Sequence, residues 1–355
     1  MEDKNSKLDE KFKLVADTIR SYPLQLKQAW DEIRMLNFPE DYKKIKNIVF
    51  CGMGGSALGA RMVDSLAFNQ LRVPLEIFND YKIPNYVDAN SLVIISSYSG
   101  TTEETIESTY QALKRNAKIF GITTGGTLAD LLNKEKAPAY VFDPKHNPSK
   151  QPRMAIGYAC GAVLSLLTKL DVITVSAEDI EKAIAIMNVV LTDYNENAPG
   201  EKNLARAYAE SLKNRIPVFV ASDHLVGTIH TIKNQFNESA KTFAVLFELP
   251  ELNHHLMEGL KNPAKIREVF TFVFITSHLY SEGVQKRYPL TAEVVDKNGL
   301  PYLMYSPRSE DKLSQVFETL IFGSFVVYYL TRLYNIDPMA IPWVDYFKEK
   351  LKSNK

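Results

Sequence analysis

Cysteine is scarce in this chain: two in 355 residues, Cys51 and Cys160, each inside an apolar stretch. That is too few for a disulfide framework, and the pair reads as two buried, reduced thiols of an intracellular protein. A disulfide between them is the open alternative. An excess of charge is lacking as well. The 42 basic and 42 acidic side chains cancel, for a sequence pI near 7.0, which argues against the concentrated basic surface that nucleic acid requires. Long apolar runs are missing too. The longest, Leu320 to Leu330, is interrupted by Gly323 and Ser324, and it is about half the ~20 residues needed to cross a bilayer. It is expected to be a buried helix. The first residues, Met-Glu-Asp-Lys-Asn-Ser-Lys, are charged and lack the apolar core of a secretory signal, so the expectation is a soluble, cytoplasmic protein without membrane contact. His-Glu-x-x-His and paired-cysteine patterns are absent, and with them the usual signatures of a zinc site.

What is present is a pair of loops suited to one phosphate. Cys51-Gly-Met-Gly-Gly-Ser-Ala-Leu-Gly59 follows the apolar run Ile45 to Phe50, and Ser96-Ser-Tyr-Ser-Gly-Thr-Thr102 follows Leu92 to Ile95. Each falls where a strand should end and a helix begin, so free backbone N–H groups and the helix dipole favour an anion. The second loop is rich in hydroxyls and runs into an acidic helix start, Glu103-Glu104. Gly52-Met-Gly-Gly-Ser-Ala57 also fits the dinucleotide fingerprint in its G-x-G-x-x-A form, with Glu76 or Asp80 as ribose partner. The hydroxyl-rich second loop decides against it, because a dinucleotide site has no use for one.

The surrounding pattern alternates. Asn47 to Cys51, Pro74 to Phe78, Leu92 to Ser96, Lys118 to Ile122 and Ala139 to Phe142 read as short strands, with helical spacing between them. Largely apolar Arg153 to Leu170 should close this unit as a helix. After the helical stretch Ala177 to Asn195 and the hinge Asn197-Ala-Pro-Gly200, the alternation resumes at Ile216 to Ala221, Lys241 to Phe247, Val269 to Thr276 and Tyr302 to Tyr305. Helical patterns at Leu225 to Glu238 and Asp311 to Tyr334 lie among them. The expected fold class is therefore α/β, with two parallel sheets flanked by helices. The chain divides into residues 1–170, a linking helix and hinge at 171–200, and 201–355. A cleft between two such units is where ligands prefer to sit.

The loops 52–56 and 97–102 resemble the phosphate-binding loops of sugar isomerase (SIS) domains. A third segment, Asn237-Glu-Ser-Ala-Lys241 followed by Leu249-Pro-Glu-Leu-Asn-His254, resembles the signature of the bifunctional phosphoglucose/phosphomannose isomerases. The similarity runs from the first loop to Asp337-Pro338 and Lys348. It implies that both units are SIS domains. The activity it implies is an aldose–ketose isomerisation of glucose 6-phosphate, and of mannose 6-phosphate, with fructose 6-phosphate through a cis-enediol.

The resemblance assigns Gly55, Ser56, Ser97, Ser99 and Thr102 to the substrate's phosphate. It makes Glu238 the general base, a residue that would otherwise read as a solvated glutamate late in a helix. His254 is implied as the ring-opening acid–base group, although His255 stands where relatives carry Asn. Arg153 is implied to stabilise charge on the enediolate oxygen, where it would otherwise be an arginine bonded to backbone. Lys348 matches a C-terminal catalytic lysine, with Lys350 and Lys352 as register alternatives. No metal or cofactor is implied, and a homodimer is, with His254 donated across the interface. Two other readings stand beside this one: another SIS-domain isomerase acting on an amino-sugar phosphate, and a non-catalytic sugar-phosphate sensor. Some 40 residues precede the first strand, too few for the helix-turn-helix domain and linker of the transcriptional sensors.

Overall fold

A computed structural model describes residues 2–353. Two helices, α1 (Glu2–Arg20) and α2 (Tyr22–Arg34), lead into the first alternating unit. Its elements are β1 (Asn47–Gly52), α3 (Gly55–Ala67), β2 (Leu75–Phe78), β3 (Ser91–Ser97), α4 (Glu103–Lys114), β4 (Lys118–Thr123), α5 (Gly126–Lys134) and β5 (Ala139–Val141). The five strands form one parallel sheet in the order β2-β1-β3-β4-β5. Its strands read as unbroken apolar runs because both faces are covered. Ile48, Phe50, Leu92, Ile94 and Phe120 face the main core, while Val49, Cys51, Val93, Ile95 and Ile119 build a second core on the opposite face. Cys51 and Cys160 are both buried free thiols.

Three helices follow: α6 (Ile156–Lys169), α7 (Ala177–Tyr194) and α8 (Leu204–Leu212). Ser176 starts α7 with a reciprocal capping box to Asp179. The second unit comprises β6 (Ile216–Ala221), α9 (Val226–Glu238), β7 (Val245–Glu248), α10 (Ile266–Val269), β8 (Phe270–Ile275), α11 (Glu282–Lys297) and β9 (Tyr302–Tyr305). Its parallel sheet runs in the order β7-β6-β8-β9. This is the first four places of the first sheet repeated.

Last come α12 (Lys312–Tyr334) and α13 (Pro342–Ser353). α12 holds the longest apolar run. It is long and apolar enough to cross a membrane, but its apolar window is wholly buried inside the protein against α7, α8, α9 and α1. The main core continues from one sheet to the other, with α3 packed on both α6 and α9.

One local expectation shifts, and one helix was not expected. The strand expected over 241–247 is shorter, because residues beyond α9 turn back. Lys241 takes a left-handed backbone (φ +52°), and the Ala244 N–H donates to Asn237 Oδ1 at 3.0 Å. α11 carries Pro289 in its interior, which hides a helix from periodicity-based reading.

Candidate active site

In a parallel sheet the crevice lies beyond the carboxyl ends of the strands, where the strand order reverses. In the first sheet that point falls between β1 and β3, the two strands that end in the glycine-rich and hydroxyl-rich loops. Ser56 and the second loop are directly linked, since the Tyr98 N–H donates to Ser56 Oγ at 3.0 Å. Within the second loop, buried Ser97 donates to Thr102 Oγ1 (3.0 Å) and accepts from the Gly100 N–H (3.1 Å). Its hydroxyl thus helps to shape the loop. Ser99 and Thr101 are exposed and share a bond of 3.0 Å.

Gly54, Thr102 and Gly125 cap α3, α4 and α5 without a side-chain bond to the helix amides. The N-terminal N–H groups of three helices therefore lack a capping side chain around this crevice. The third of these was missed in the sequence. Thr124 donates twice to the Tyr98 carbonyl, and Gly100 (φ +68°) sits so close to Gly125 that a Cβ would lie 1.7 Å from the Gly125 oxygen. The doubled glycine in Thr123-Thr-Gly-Gly-Thr127 was its available signal.

The first loop also touches the segment carrying Arg153. A Cβ on Gly55 would meet the Arg153 backbone nitrogen at 2.8 Å, so a side chain there would push the two apart. The Arg153 side chain is almost completely buried. Its Nε donates to Ser239 Oγ (3.0 Å), Nη1 to Gln151 Oε1 (2.9 Å), and Nη2 to the carbonyls of Pro338 and Met339 (both 2.9 Å). Nη1 also lies 3.8 Å from Glu238 Oε2. A buried guanidinium needs such a set of acceptors to offset its desolvation. Most of Arg153's donors are thus spent on holding Ser239 and the 338–339 turn, and the edge left over faces Glu238.

Glu238 ends α9 and is half-buried, unlike a solvated surface glutamate. Burial pushes its carboxyl above the ordinary glutamate range, opposed by the positive charges of Arg153, Lys241 and Lys348. Lys348 lies on exposed α13 and acts on Glu238 as a charge without a hydrogen bond to it. Asp345, one turn earlier on α13, acts likewise on Arg153.

His254 stands apart. It closes a short 3-10 turn, Glu251–His254, and is exposed. The neighbouring His255 packs its ring on Phe247, with centroids 6.0 Å apart. No hydrogen bond or ion pair among the described residues joins His254 to Glu238. Among the described residues, no group of three or more His, Cys, Asp or Glu is arranged to hold a metal ion.

Residues 201–351 match the model of the bacterial phospho-glucose isomerase C-terminal SIS domain, and residues 41–131 match the SIS domain model. The chain is 30% identical to the bifunctional phosphoglucose/phosphomannose isomerase of Caldicellulosiruptor bescii, over 96% of this chain and 99% of that one. The chain belongs to the bifunctional phosphoglucose/phosphomannose isomerase family. The relative in Thermoplasma acidophilum is also 30% identical, over 92% of this chain and 96% of its own. Among solved structures, a hypothetical protein from Thermus thermophilus superposes with a TM-score of 0.75. It covers 98% of this chain and 94% of its own at 16% identity, which speaks to the fold. Family membership and topology together make both units SIS domains.

Proposed function

We propose that this protein interconverts glucose 6-phosphate and mannose 6-phosphate with fructose 6-phosphate through a cis-enediol. The observation that carries the reading is continuity from anion site to carboxylate. Gly55 of the first loop packs on the Arg153 backbone, and the far end of that side chain meets Glu238. The length of one arginine side chain thus links the loop to the carboxylate.

With the phosphate on the loops, the Glu238 carboxylate takes the C2 proton, which the adjacent carbonyl has already acidified. The electron pair moves into the C1–C2 bond while the C1 carbonyl pair goes to O1, which takes up a proton to complete the enediol. O2 then gives up its proton as the C2 carbonyl forms, and the C1–C2 pair takes the proton back from the same carboxylate at C1. Rotation about C2–C3 presents either face of C2 on the way back, which gives glucose or mannose. Arg153 and Lys348 supply positive charge beside the carboxylate and the developing oxyanion. The path calls for no metal or cofactor.

Exposed His254 suits a role across a subunit boundary. The reading therefore includes a homodimer in which His254 of one copy passes the ring-opening proton in the other's site. Two buried free thiols accord with a cytoplasmic setting.

The test is fructose 6-phosphate formation from each aldose phosphate, with and without EDTA. Turnover of both substrates, unaffected by chelation, is expected. Failure with both aldoses overturns the reading, and loss on chelation restored by zinc promotes His254-His255 to ligands.

A further inference from the structure

The turn between α12 and α13 is gripped by cations from three directions. Arg153 donates to the carbonyls of Pro338 and Met339, and Lys11 pairs with the Asp337 carboxylate. Lys241 Nζ donates to the carbonyls of Asp337 (3.0 Å) and Ala340 (2.7 Å). Asp337 braces the turn from within, accepting from the N–H groups of Met339 (2.8 Å) and Ala340 (3.2 Å). The third bond of Lys241 goes elsewhere, to the carbonyl of Glu238 at 2.9 Å. That carbonyl is one of the unpaired acceptors at the end of α9, where a cation also complements the helix dipole. The left-handed backbone at Lys241 returns its side chain over the helix end it has just left.

We propose that Lys241 is a positioning residue for Glu238: its ammonium ties the helix end bearing the carboxylate to the turn from which α13 delivers Lys348. The proposal rests on the reading of Glu238 as the general base. A solvated lysine gains nothing from a fixed geometry. This one spends all three donors on carbonyls of two separate elements, although the side chain as a whole is exposed. The charged groups acting on Lys241 are Arg153, Asp337 and Glu238, and those acting on Glu238 are Arg153, Lys241 and Lys348. Desolvation of the ammonium, with Arg153 adding to it, brings Lys241 down to about 8. Below that pH its charge favours the ionised carboxylate.

Two variants test this. Lys241→Gln keeps a donor for the carbonyls without the charge, and Lys241→Arg keeps the charge. For Lys241→Gln, calorimetric binding of fructose 6-phosphate and KM should stay near wild type. Its kcat should fall about ten- to a hundredfold, as expected for a base misplaced by about 1 Å. The acidic limb of its kcat/KM profile should move to higher pH, and Lys241→Arg should return the limb to its wild-type position. A folded Lys241→Gln protein with wild-type kcat and an unmoved limb overturns the proposal. Should that variant not fold, a displaced limb in folded Lys241→Arg overturns it equally. Glu238→Gln measured alongside separates the two ideas: activity there refutes the base itself, whereas inactivity there with an unmoved Lys241→Gln limb refutes only the positioning role.

Discussion

The two halves of this molecule share a strand order and use it differently. In both sheets the order reverses beside the first strand, between β1 and β3 and between β6 and β8. At the first reversal the loops are glycine and hydroxyl, and three helix N-termini there lack a capping side chain. At the second, the space is filled by the protein's own side chains. His224 is fully buried, with Nε2 2.9 Å from Gln315 Oε1, and Ser277 donates to the same oxygen at 2.6 Å. Gln315 donates in turn to the Ser309 carbonyl at 2.7 Å, and Lys312 pairs with Asp223 at 3.1 Å. Burial pushes His224 down to about 4, so it stays neutral in its slot. Strand topology creates a crevice in each half, and loop composition decides whether uncapped helix N-termini or side chains line it. The second half contributes instead through the far end of α9, where Glu238 meets Arg153 from the first half.

The sharpest break between the halves is Glu238→Gln. It should cost kcat about 10²–10⁴-fold for both aldose phosphates while leaving KM close to wild type, as measured by steady-state kinetics. Arg153→Met removes the donor shared by Ser239 and the 338–339 turn. Breaking such a buried charged network costs about 3–5 kcal/mol, so the urea midpoint should fall along with kcat. On the phosphate side, Ser99→Ala with Thr102→Ala should raise KM about tenfold or more, each hydrogen bond to an anion being worth about 1.5–3 kcal/mol.

The pH dependence sharpens the same division. Protonated Glu238 cannot accept a proton, so kcat/KM should fall as pH drops through its pKa. Burial puts that limb above the range of an exposed glutamate. Least affected should be the filled crevice. Gln315→Leu strands His224 and Ser277, at about 1–3 kcal/mol for each unpaired group, and lowers thermal stability without moving KM.

Much of this was legible along the chain. β6 and β9 fall on the expected residues, and the strands of the first sheet agree within a residue or so, because a buried parallel strand is a short apolar run with abrupt ends. The two strand-to-helix loops of the first unit announce themselves by glycine and hydroxyl content. Arg153 and Glu238 were legible through their motifs, but their contact was not, since the two lie far apart in sequence and meet only through the way α9 crosses the first unit. Ser97 was legible as a hydroxyl of the second loop, but its bonds to Thr102 and Gly100 within that loop were not. Lys241 stood inside the Asn237–Lys241 motif, but its contacts did not show, because a lysine that binds backbone carbonyls looks in sequence like any solvated lysine. Pro289 concealed α11, and nothing local foretold that His224 and Gln315 would fill the second crevice.

The central claim is that the first half holds the phosphate while Glu238 of the second moves the proton. The most direct measurement is deuterium incorporation at C1 and C2 in heavy water, made on Glu238→Gln protein whose binding of fructose 6-phosphate is followed by calorimetry. The account predicts binding near wild-type affinity with incorporation reduced to far below a tenth of the wild-type rate. Incorporation above about a tenth of that rate, in protein that is folded and binding, would contradict it.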